Sequence, residues 1–126
     1  METLHDNLVD GAELMRIAAT YENQQVLEYL LNNNVDPGNT NCDGWNSLHF
    51  GAHTNKKSTK CIELLLNNMT IESINKVNND GETPLDYAYY NGSLIKNDII
   101  KIIRKYGGKA NLWDENGIHV GRSNED

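Results

Sequence analysis

Three stretches of the chain repeat one layout. Met15-Arg16-Ile17-Ala18-Ala19, Leu48-His49-Phe50-Gly51-Ala52 and Leu85-Asp86-Tyr87-Ala88-Tyr89 each begin four residues after the glycine of an Asp-Gly pair. Those pairs are Asp10-Gly11, Asp43-Gly44 and Asp80-Gly81. Each stretch leads into an aliphatic run at helical spacing: Val26 to Leu31, Cys61 to Leu66 and Ile99 to Ile103. The first two units are offset by 33 residues and the last two by 37. Such a period marks a stacked array, in which a turn-and-two-helix unit buries its apolar face only against its neighbours.

The letters around each stretch have local reasons. Thr83 can cap a helix by accepting a first-turn amide, and Pro84 just inside has no amide hydrogen to leave unpaired. Asn46 and Glu13 occupy the equivalent cap positions, Asn46 suited to the role and Glu13 poorly so. Asp-Gly ahead of the cap supplies the positive φ of a tight hairpin turn. Ala18, Ala19, Gly51, Ala52 and Ala88 let paired helices approach closely. Tyr89 departs from that pattern, as expected for a last unit with no successor pressing on it. The four extra residues of the second offset are spread over loops at 54–59 and 69–77, where they cost little because loop entropy grows logarithmically.

The motif Asp80-Gly81-Glu82-Thr83-Pro84-Leu85 resembles the opening of an ankyrin repeat, and the second unit keeps Asp43-Gly44, Leu48 and His49 of it. Asn34-Val35-Asp36 and Gly107-Gly108 stand where that family usually has Gly-Ala-Asp. The resemblance runs from about Asp10 to Gly117 and implies an all-α ankyrin-repeat solenoid of helix–turn–helix units with short β-hairpin fingers. One domain over 1–126 is expected, with a capping repeat at 10–42, repeats at 43–79 and 80–113, and an unfinished fourth turn and tail at 114–126. Arg16, Glu22, Gln24 and Gln25 are expected to give the first unit a polar outer side, as Lys101, Arg104 and Lys105 do for the last. His49 falls at the family's structural histidine, whose ring is expected to bond backbone groups in the turn.

Charge and cysteine usage narrow the function classes. A formal net charge of −7 argues against nonspecific grip on nucleic acid. No apolar run approaches the roughly 20 residues that cross a bilayer, and the acidic first ten residues lack a signal core, so a cytoplasmic or nuclear monomer is expected. Cys42 should be exposed in a finger and Cys61 buried in an aliphatic stripe. His49 and His53 are four apart, but no glutamate follows His49 and no third ligand is spaced for metal. The aspartates recur once per repeat as scaffolding, and no phosphate-binding loop or catalytic grouping converges. No enzyme activity and no cofactor are expected.

Finger tips and the exposed ends of inner helices line the concave binding face in proteins of this resemblance. Carried over by position, this places Trp45, Asp43, Cys42, Thr40, His53 and Thr54 there from the second unit. The third contributes Tyr90, Glu82, Asn79, Asp80, Val77 and Asn91, the first Tyr21, Thr20 and Ala12, and the unfinished turn Trp113 and Glu115. Trp45 is expected to point outward beside His53, Tyr90 and Glu82. The function expected is recognition of another protein through this face. The alternative is a regulatory or targeting subunit docking an acidic partner through the basic segment of Lys96, Lys101, Arg104, Lys105 and Lys109.

Overall fold

The computed structural model describes residues 10–53 and 55–121, so Thr54 lies outside the described residues. Seven helices occur among them: α1 (Gly11–Thr20), α2 (Gln24–Asn32), α3 (Ser47–Ala52), α4 (Lys60–Leu66), α5 (Ile71–Ile74), α6 (Pro84–Tyr90) and α7 (Lys96–Lys105). They stack in two layers: α1, α3 and α6 pack in sequence as the inner row, and α2, α4 and α7 as the outer row. The core between the rows holds Met15, Leu27, Leu48, Ile62, Leu65, Leu85, Ile99 and Ile103, all fully buried. At Gly51 a side chain would stand 3.3 Å from Leu65 Cδ1, so the absent Cβ lets α3 and α4 close. The repeat registers Met15, Leu48 and Leu85 therefore mark equivalent core positions.

The caps of α3 and α6 hold their helices and also tie them to the segment that leads to the next finger. Asn46 accepts the Leu48 and His49 amides, and its own side-chain amide donates to the Ser73 carbonyl at 2.8 Å. Thr83 accepts the Asp86 amide and donates its hydroxyl to the Lys109 carbonyl, also at 2.8 Å. The third helical residue completes both joints, but with opposite chemistry. His49 Nδ1 accepts the Asn46 amide, which places the proton on Nε2 for donation to the Glu82 carbonyl at 2.9 Å. Asp86, at the same register, accepts the amides of Thr83, Asn111 and Leu112 at 2.7–3.0 Å.

Burial holds His49 well below the usual imidazole range, at about 4 against 6.5, despite the opposing pull of the Glu82 carbonyl and Asp86. The folded chain thus refuses a proton that the unfolded chain takes up below 6.5. This contribution to stability is complete above pH 6.5 and declines as pH falls toward 4, by up to about 1.4 kcal/mol per unit. His53, also lowered by burial, adds in the same direction. Urea melts at pH 7, 6 and 5 should show this slope, and it should be shallower in His49→Gln.

Four sequence expectations are corrected. Asp10, not Glu13, caps α1: its carboxylate accepts the Glu13 amide at 2.8 Å, and the helix starts at Gly11. Asp10-Gly11 is therefore a cap rather than a finger, and Ala12 belongs to the first helical turn. The 69–77 stretch is not only loop, since Thr70 caps the single turn of α5. Tyr89 does have a neighbour pressing on it: Trp113 stacks on its ring at 5.2 Å and 11°, and Arg104 lies 5.7 Å over it. The first unit's outer side is also less polar than expected. Glu22 turns to accept the Lys57 and Ser58 amides and Arg16 reaches the Asn39 carbonyl, while Val26 and Tyr29 are exposed beside the exposed Gln24 and Gln25.

Candidate functional site

The fingers are three copies of one turn. Asn41, Asn78 and Asp114 each accept two amides onto the side-chain oxygen, from residues two and four ahead. A backbone bond closes each turn, Asn41 N to Trp45 O, Asn78 N to Glu82 O and Asp114 N to Ile118 O, all at 2.9 Å. The glycines three residues after the Asx, Gly44, Gly81 and Gly117, have φ of 85°, 82° and 79°. Only glycine takes that conformation freely. The first two fingers are bonded edge to edge, Asn79 N to Asp43 O at 3.0 Å, and Asn111, just ahead of the last finger, donates Nδ2 to Gly81 O at 2.7 Å. The last finger carries an isolated antiparallel bridge between Trp113 and His119.

Between the fingers and the inner helices runs a connected track of rings. Trp45 lies 4.8 Å from Phe50 and 4.4 Å from Tyr87, with His53 edge-on to both Trp45 and Tyr87 at 5.3 and 5.1 Å. Tyr87 leads to Tyr90 at 6.1 Å, and Tyr90 meets Trp113 edge-on at 5.5 Å. His119 closes the end, 5.0 Å from Trp113. The Tyr87 phenol donates to the Glu82 carboxylate and accepts from Asn78 Nδ2. Burial and Glu82 push that phenol above the ordinary tyrosine range. The His53 imidazole is lowered by burial and by Lys56, against a smaller opposing effect of Glu82.

The expected site residues divide accordingly. Trp45, His53, Glu82, Tyr90 and Trp113 come together in the track. Trp45 is not the free outward indole expected; it is half-buried, resting on Tyr87 and Phe50. Asp43 and Asn79 are exposed at adjacent finger tips. Tyr21 stands apart, highly exposed, at a groove it shares with Ile17, Cys42 and Phe50. Sequence reasoning did not assign Phe50, Tyr87 and His119 to this face. Phe50 and Tyr87 were findable, because with Ile17 they occupy one register two residues beyond Met15, Leu48 and Leu85.

Trp113 Nε1 is buried without a hydrogen-bond partner among the described residues. Those residues contain no group of three His, Cys, Asp or Glu side chains able to hold a metal, and no helix long and apolar enough to cross a membrane. Cys42 is exposed and Cys61 buried, both as free thiols, and burial pushes the Cys61 thiol up.

The sequence profile of ankyrin repeats, in three copies, matches residues 14–114. Among solved structures, the human ASB11 ankyrin repeat domain is similar, with a TM-score of 0.60 and 21% identity. The match covers 82% of this chain and 43% of that one, so this chain spans less than half that structure's length. At this identity the likeness shows the fold alone. No curated protein sequence matches the chain.

Proposed function

Since the chain belongs to the ankyrin-repeat family, we propose that it recognises another protein along the ring track, with Trp45 and Tyr90 as the principal contacts and no catalytic step. Ankyrin repeats are generally protein–protein interaction modules. The observation that carries the reading further is the track itself. A polar chain with only nine aromatic residues of Trp, Tyr and Phe sets six of them, Trp45, Phe50, Tyr87, Tyr90, Trp113 and the more distant Tyr21, along the face of fingers and inner helices. Trp and Tyr are enriched where truncation costs most at interfaces. Arg104, the centre of the basic alternative, is engaged with Tyr89 and the Glu115 carbonyl.

Partners captured from extract and then purified allow the test. Tyr90→Ala, at a half-exposed ring, should leave the fold intact and weaken binding by about 2 kcal/mol, some thirtyfold. Trp45→Ala should weaken it at least as much per folded molecule, together with a loss of stability from the emptied contact with Tyr87. Lys105→Glu should do little. Binding that survives both aromatic changes and is abolished by Lys105→Glu would transfer the site to α7.

A further inference from the structure

We propose that the segment held on this face is cationic: a linear stretch of the partner protein whose Lys or Arg side chains lie against the rings of Trp45 and Tyr90. The inference rests on the protein-recognition reading and adds the chemistry of the partner. Two observations carry it.

The first is the ring surface. A cation is drawn to the face of Trp or Tyr within about 6 Å of the centroid. Within this chain an arginine already pairs with a tyrosine, the Arg104 guanidinium donating to the Tyr89 hydroxyl with its carbon 5.7 Å from the ring centroid. Tyr90 is half-exposed, and it joins Trp113 at one end of the track and, through Tyr87, Trp45 at the other. Aliphatic stems of Lys and Arg suit such a track, since they lie along apolar surface while the charged head reaches its rim.

The second is the segregation of charge. The three fingers, 41–45, 78–82 and 113–119, carry Asp43, Asp80, Glu82, Asp114 and Glu115 and no Lys or Arg. The exposed ends of the inner helices, 17–21, 50–53 and 87–91, carry no Lys or Arg either. Apart from Arg16, the cationic residues of the described chain fall in loops and on α4 and α7. An acidic rim around aromatic rings attracts a basic segment and repels an acidic one, which sets both choice of partner and association rate. Asp43 and Glu115 are exposed at the tips of the first and last fingers. His53, edge-on to Trp45, is lowered by burial and by Lys56, whose ammonium donates to the His53 carbonyl at the α3 end of the track.

A random-peptide display selection against the whole chain at low salt tests this without knowledge of the natural partner. Selected peptides should be enriched in Lys and Arg and depleted in Asp and Glu. Their Kd should rise at least tenfold between 50 and 500 mM salt, as roughly expected for exposed charges at a Debye length falling from about 14 to 4 Å. The double variant Asp43→Asn with Glu115→Gln should weaken the selected peptides several-fold with an unchanged melting midpoint. Peptides without cationic enrichment that still lose binding in Tyr90→Ala would overturn the cationic inference and leave the binding face standing. Peptides indifferent to both Tyr90→Ala and Trp45→Ala would overturn the binding face itself. An empty selection overturns the cationic inference, because a basic linear segment is represented in the library.

Discussion

Asp86→Ala is expected to lower stability by about 3–5 kcal/mol, although it removes only a few atoms from the chain. The carboxylate is fully buried and accepts the amides of Thr83, Asn111 and Leu112. Alanine leaves three backbone donors without acceptors, each costing about 1–3 kcal/mol where water cannot replace the oxygen. Asn111 is exposed enough for water to restore part of its share, hence the lower figure than three full penalties. Asp86→His should not rescue the site, since an imidazole N–H would face amide N–H groups. Urea unfolding measures the loss. A change below about 1 kcal/mol would mean that the last finger is not held through Asp86.

Leu65→Ala should cost about 2–5 kcal/mol, the range for an emptied leucine site that cannot collapse. Leu65 is fully buried on α4, against the bare backbone of Gly51 on α3. Helices on both sides hold the cavity open, because α4 also meets α2 and α7 in the outer row. Domains of this size are stable by only about 5–15 kcal/mol, so a large share of the total would go. Leu94→Ala is the matched control, at a fully exposed side chain, and should stay within about 0.5 kcal/mol. Equal effects from the two leucines would contradict the two-layer packing.

Much of this was legible in the chain because repetition turns weak local signals into strong ones. Met15, Leu48 and Leu85 share one register, and each proves fully or almost fully buried. Thr83 and Pro84 announce a helix start, and α6 begins there. Extending that alignment to Glu13 failed because α1 starts three residues earlier in the register: Asp10 caps it, with a side chain short enough to accept the Glu13 amide. The Asx that organises each finger is equally regular in sequence, as Asn41, Asn78 and Asp114, whereas Asp-Gly marks only two of the three fingers and also occurs at the α1 cap. Trp45 and Tyr89 were misjudged for a different reason. Their surroundings come from Tyr87 and Trp113, residues 42 and 24 positions away, and no local pattern encodes a contact of that kind.

The exchange of His49 for Asp86 at one register reverses what each joint demands of the segment ahead. His49 needs a carbonyl, which Glu82 offers, whereas Asp86 needs amides, which Asn111 and Leu112 offer after α7. Neither side chain can serve the other's joint unchanged, so the two units are not interchangeable in this stack although their helices share one register.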